Sequence, residues 1–203
     1  TGKGFGGDVG YLLNHSKQLI SRGIESRFNK EYTVNIRFHL SDEITFISGF
    51  KRAEKENASQ FQENRNYLIK VQEMLPGLVW QPANNVRFSS TYRLSSKNNI
   101  LAADDSEQST IHELAMESRW SNGIKNALNA TFRVSDISFE GDLNTAAAYE
   151  LLEALQPGTN YSWQLNYNQK LISGLQINLG YEGRKSTDRP VIHMGRMQVT
   201  ALF

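Results

Sequence analysis

A chain of 203 residues is long enough for one substantial domain, and its net charge of +1 offers no basic surplus to neutralise a phosphate backbone. Cysteine is absent, which removes disulfides, thiolate metal sites and cysteine nucleophiles. No stretch approaches the roughly 20 apolar residues of a membrane helix, yet a mean hydropathy of −0.50 also suits strands that show every second side chain to lipid.

The first residue is Thr1, without an initiator methionine or signal peptide, so the sequence reads as a mature form or a piece of something longer. Residues 1–17 are expected to form a glycine-rich, helical N-terminal segment, because Val9, Leu12, Leu13 and Leu19 recur at rough helical spacing within Asp8–Ile20. Strands are expected over 18–203. Ile20, Ile24 and Phe28 suggest one strand, with Asn29–Glu31 as its turn. Tyr32, Val34, Ile36, Phe38 and Leu40 then alternate with Thr33, Asn35, Arg37 and His39, and after a Ser41-Asp42 turn Ile44, Phe46 and Phe50 continue the pattern. The polar tract Lys51–Asn64 reads as a long loop. A strand near Tyr67–Trp80 must be bulged or interrupted by Pro76-Gly77.

Gln81–Asn85 turns the chain into Val86, Phe88, Tyr92 and Leu94, which alternate with Arg87, Ser89, Thr91 and Arg93; Ser95–Ser109 reads as a second long loop. Leu114, Met116 and Trp120 alternate with Glu113, Glu117 and Arg119, and Asn122-Gly123 is a strong hairpin signal before Leu128, Ala130, Phe132 and Val134. Asn144–Leu155 is rich in helix formers and ends at Pro157-Gly158, which predicts a short helix in a loop. Three strands close the chain: Tyr161–Tyr167, Leu175–Arg184 and Met194–Phe203, the last with Gly195, Met197, Val199, Ala201 and Phe203 on one side. Nine strands and a possible tenth are counted, with tight turns at one end of the strands and longer excursions at the other, the asymmetry of an outer-membrane barrel.

Each strand thus has one apolar side, which faces either lipid or a second sheet. Three features point to lipid. The polar sides carry mid-strand charge (Arg37, Arg87, Arg93, Glu113, Glu117, Arg119, Arg133, Glu182 and Arg196), as a wet or salt-bridged lumen permits. The apolar sides bring aromatics near strand ends (Trp120, Tyr161, Trp163, Tyr167 and Tyr181), as interfacial girdles require. The strands are also long and hairpin-linked. The fold class expected is all-β, an antiparallel up-and-down transmembrane barrel of about 8–10 strands with a loop helix near 144–155. The alternative is a soluble all-β binding module with the apolar faces forming an internal core.

Gly2-Lys3-Gly4-Phe5-Gly6-Gly7 satisfies G-x-G-x-x-G but lacks the strand before it and the βαβ context of a dinucleotide site. His15, His39, His112 and His193 lack metal-ligand spacing, and no G-x-S-x-G elbow is present, so neither cofactor, metal nor enzymatic chemistry is expected.

"MGRMQVTALF" is similar to the C-terminal signature strand of bacterial outer-membrane barrels, with Phe203, Ala201, Val199, Met197 and Gly195 on the matching positions. The stretch from Leu143 to Phe203, with "LQPGTNYSWQ", "YEGRK" and "GRMQV", resembles the end of large Bacteroidota outer-membrane proteins. The resemblance implies an outer-membrane location, the lipid bilayer and the barrel-assembly machinery as partners, other envelope proteins in a complex, and a longer precursor around Thr1. It implies no substrate. The role expected is a membrane anchor or scaffold, or part of a larger pore or secretion-type assembly.

Overall fold

The computed structural model describes residues 4–20, 23–102, 107–123, 125–171 and 174–201. Ten strands run through them: β1 (Phe5–Ile20), β2 (Gly23–His39), β3 (Ile44–Ser59), β4 (Tyr67–Ala83), β5 (Val86–Asn99), β6 (Gln108–Asn122), β7 (Asn126–Glu140), β8 (Gly158–Lys170), β9 (Leu175–Ser186) and β10 (Ile192–Ala201), with one helix, α1 (Ala146–Leu151), between β7 and β8. They form one sheet in sequence order, every neighbour antiparallel, which is the up-and-down topology expected from the hairpin signals.

Connections at one end of the sheet (40–43, 84–85, 123–125 and 171–174) span four residues or fewer. The other end carries 60–66, 100–107, 141–157 and 187–191, together with the short β1–β2 connection at 21–22. Gly123 takes φ +55°, which suits the glycine in the Asn122-Gly123 turn. Pro76 has no N–H to give, and the β4–β5 ladder skips the rungs between Met74↔Leu94 and Gly77↔Thr91 without changing register; the shift of register comes later, between Trp80 and Ala83.

Four expectations are corrected. Residues 5–20 are a strand, not a helix, paired with β2 along their whole length. Leu12 and Leu13, which mimic helical spacing, lie on opposite sides of that strand. Asn29–Glu31 is not a turn but the middle of β2. The tracts Lys51–Asn64 and Ser95–Ser109 are mostly strand, since β3 runs to Ser59, β5 to Asn99 and β6 starts at Gln108. The internal core expected of the soluble alternative is not made by the apolar strand faces: Phe46, Phe50, Trp80, Phe88, Phe132 and Leu179 lie open on the outer surface, and the core is built from other residues. Among the described residues no ladder joins β1 to β10. Val9 and Met197 at those edges are 81% and 70% exposed, against 40% for Phe88 in mid-sheet, so both edges stand free.

Candidate functional site

Antiparallel partners point to the same side of a sheet, so the ladders assign each residue to an outer set or to the inner set on which α1 lies. The outer set carries an apolar band on every strand, including Val34–Phe38, Ile44–Phe50, Met74–Trp80, Leu114–Trp120, Leu128–Val134 and Leu175–Tyr181. Its border toward the long-loop end is marked on successive strands by Leu13, Tyr32, Phe50, Met74, Leu94, Leu114, Val134, Tyr161, Tyr181 and Gly195. Measured along the ladders, this border descends one two-residue step from β1 to β2, from β2 to β3 and from β5 to β6, and two steps from β8 to β9: five steps, or ten residues, in nine pairings. With a rise of about 3.3 Å per residue and about 4.8 Å between strands, the band crosses the strands at about 37° from their perpendicular. Strands of membrane barrels tilt by roughly 35–45°. The strands are therefore inclined to a level apolar belt as barrel strands are to a bilayer.

Above the border the pattern reverses. On β3 the outer set becomes Arg52, Glu54 and Glu56 while Ala53 turns inward; on β4 Lys70 and Gln72 face out while Ile69 and Val71 face in. Ile111 on β6 and Ile137 on β7 complete the inner apolar patch. That patch receives α1. Thr145 caps the helix, its side chain accepting from the Ala148 N–H. Ala147 and Leu151 pack with Ala53, Ile69 and Val71, and Leu152 packs with Ile111 and Ile137. The loop helix is thus folded back onto the inner face of the sheet.

The chain leaves α1 through Glu153 and Ala154, both in the left-handed region (φ 54° and 61°), a conformation that costs non-glycine residues energy and needs a reason to persist. The reason is a latch. Glu153 accepts from Arg93 at 2.8 Å through both carboxylate oxygens, and from Lys97 Nζ at 2.7 Å. Burial alone acts to raise the Glu153 carboxyl, but hydrogen bonds from Arg93 and Lys97 outweigh it and hold the group at about 2. Arg93 also lies 3.6 Å from Glu73 and 3.3 Å from Glu113; Ser95 donates to Glu73 and Ser135 to Glu113. Lys55 pairs with Glu150 on the helix itself.

Of the lumen charges expected from sequence, Arg93, Glu113 and Arg133 meet in this layer, with Arg133 3.6 Å from Glu113. Glu117–Arg119 (2.5 Å) and Glu182–Arg196 (2.8 Å) form separate pairs on neighbouring or same-strand positions. Arg37 and Arg87 face inward and have no ion-pair partner among the described residues. Trp120, Tyr161, Trp163, Tyr167 and Tyr181 all belong to the outer set, with Tyr161 and Tyr181 on the border and Trp163 laid over Gly183. Gly195, Met197, Val199 and Ala201 line the outer side of β10; Phe203 lies outside the described residues, as do Gly2 and Lys3. His15, His39, His112 and His193 hydrogen-bond to Ser26, Thr45, Tyr92 and Tyr181 respectively. Sequence reading missed Glu73, Lys97, Glu150 and Glu153. Lys97 continues the Arg93 alternation and was findable once β5 is extended; nothing local marks Glu153 as the partner.

No family model and no curated protein matches the sequence. Among solved structures the chain is similar to the translocator domain of the autotransporter NalP from Neisseria meningitidis, with 11% identity, a TM-score of 0.46, and 98% of this chain and 76% of that one covered.

Proposed function

We propose that this chain is part of the wall of an integral outer-membrane β-barrel that serves as an anchor or scaffold, its lumen stoppered by α1 and its charged long-loop end turned to partners in the envelope. The oblique apolar band carries this reading, because a soluble protein has no reason to keep its exposed apolar residues level with a plane that cuts the strands at a fixed angle. The reversal of the pattern at the band's border supports it, since it restores an ordinary water-excluded core where the wall would leave the bilayer. The likeness of Gly195–Phe203 to a barrel-assembly signal fits the same biogenesis.

The free edges of β1 and β10 lie at acyl-chain depth, where unpaired amides and carbonyls have no water to bind. Further strands therefore continue the wall. The role is structural, not catalytic.

The test is depth. The chain has no native cysteine, so single cysteines at Val34, Tyr92, Phe132 and Leu179 can each carry an environment-sensitive fluorophore in bilayers with nitroxide-labelled lipids. All four are expected to report one depth. A label at His193, on the same ladder row as Phe132, should sit markedly shallower. Equal quenching along the ladder row, or none anywhere, would refute the reading.

A further inference from the structure

Every charged side chain on the outer face of the described strands lies beyond the belt's border on the long-loop side; from that border to the short turns the outer set carries none. The charges beyond it are unevenly placed. The outer lysines and arginines of the described strands are Lys17, Lys30, Arg52 and Lys70 on β1–β4, with Lys185 alone on β9. Four cations less the two carboxylates of Glu54 and Glu56 leave the outer face of β1–β4 at +2 there. Beyond the same border β5–β8 carry no outer lysine or arginine, and Asp136 and Glu140 instead.

Three of these cations converge. Lys30, Glu54 and Lys70 are ladder partners in one row, and Tyr32, Arg52 and Gln72 form the next row on the belt side, so Arg52 is diagonal to both lysines. Lys30 and Arg52 stand two residues beyond Tyr32 and Phe50 at the border, and Lys70 stands four beyond Met74. At about 3.3 Å per residue and an inclination of about 37°, those positions are about 5 Å and about 10 Å above the belt. The headgroup layer is roughly 5–8 Å deep on each side of the hydrocarbon, so Lys30 and Arg52 stand inside it and Lys70 at its outer rim. A long stem lets the Lys70 ammonium reach back toward it. The Lys30 ammonium is already turned toward the belt, 5.4 Å from the centre of the Tyr32 ring, and Tyr32 packs on Tyr11 with ring centres 5.0 Å apart.

We propose that this corner of β2–β4 binds a phosphorylated lipid of the leaflet at the long-loop end. Its phosphate sits on the Arg52 guanidinium, flanked by Lys30 and Lys70 and on the belt side of Glu54. The Tyr11 and Tyr32 hydroxyls serve the headgroup, and the acyl chains run down over Val34 and Phe50, which are partners in one row. A phosphomonoester carries about −1.5 to −2 at pH 7, which matches the surplus on this face, so a monoester headgroup is preferred over a diester. The inference rests on the membrane reading, because only a bilayer presents a headgroup at this depth.

Lipid quenching tests it, with the full polypeptide in phosphatidylcholine vesicles doped with brominated phosphatidic acid, phosphatidylglycerol or phosphatidylcholine. A fluorophore on Val34→Cys, beneath the site, should be quenched by phosphatidic acid about tenfold or more efficiently per mole of lipid than by phosphatidylcholine, with phosphatidylglycerol between them. One on Leu179→Cys, far round the wall on β9, should show no preference. Lys30→Gln and Arg52→Gln should each lower the preference at Val34 about fivefold, with quenching by phosphatidylcholine unchanged as the sign of an intact fold. Equal quenching by acidic and neutral lipid at Val34, an equal preference at Leu179, a preference that survives in the double variant, or one abolished by free inorganic phosphate would overturn the proposal. In each of these cases the lipids still quench and the membrane reading stands; it falls with the proposal only where no lipid quenches either label.

Discussion

Replacing Glu153 by Gln removes the charge that holds the stopper and leaves Lys97, whose side chain is 4% exposed, without a carboxylate. Deleting one partner of a fully buried ion pair costs about 3–5 kcal/mol. Glu153 is itself 31% exposed, Lys97 keeps the Glu150 carbonyl at 3.4 Å, and a glutamine still accepts one hydrogen bond, so the cost here is about 2 kcal/mol. It falls on the docking of α1, because the strands keep their ladders. Opening of the helix should then become about 30-fold more frequent, read by hydrogen exchange of the amides of 146–152 in detergent-solubilised protein. Adding Lys97→Met, which removes the orphaned charge at similar volume, should restore most of the protection. Unchanged exchange in the helix, or acceleration spread evenly over the strands, would refute the latch.

Acid acts on the same bond with a definite sign. A carboxyl held at about 2 stabilises the docked helix fully above its ordinary value near 4.5, and that contribution fades as pH falls from there toward 2. Helix fluorescence labels should therefore report a docked stopper at pH 5 and progressive release only on approach to pH 2. Phe132→Arg, in mid-band, should cost about 2–4 kcal/mol in bilayer refolding, whereas Thr131→Arg beside it on the inner side should cost much less. A Cβ at Gly183 would stand 2.1 Å from the Trp163 ring, so Gly183→Ala must expel the indole; a shift in tryptophan emission and a loss of about 1–2 kcal/mol are expected. Val9 and Val199 lie at equal depth on the two free edges, and in the full polypeptide a Val9→Cys/Val199→Cys pair should fail to cross-link if further strands separate them.

The band strands were legible because their outer sets keep one rule for four or five alternations. Val34, Ile36 and Phe38 on β2, and Leu128, Ala130, Phe132 and Val134 on β7, recur at period two with polar partners, and nothing competes with that signal. Legibility was lost where the rule reverses. Past Phe50 and Leu94 the outer residues become Arg52, Glu54, Ser96 and Asn98, and the inner ones Ala53, Lys97 and Asn99, so a polarity count sees almost only polar residues and reads a loop. At β1, glycines at 6, 7 and 10 and adjacent leucines at 12 and 13 dilute the alternation until helical spacing looks as good. The helix was legible from composition and its stop signal. Its destination was not, because the apolar patch it fills is assembled from β3, β4, β6 and β7 and exists only once their register is set.

That destination bears on how wide the finished wall is. Closing about eight strands yields a bore just wide enough for the wall's own side chains, or for one small ligand. Here a helix about 10–12 Å across with its side chains rests against the inner faces of β3–β7. Beyond it a cavity of about 830 Å³ extends to β9 and β10. On the proposed reading, the helix and the cavity beside it are what a wall of more than ten strands would enclose, and the two free edges stand where extra strands would enter. On that reading the latch and the reversed core share one cause: a wall too wide to be plugged by its own side chains would fold a loop inward to fill it.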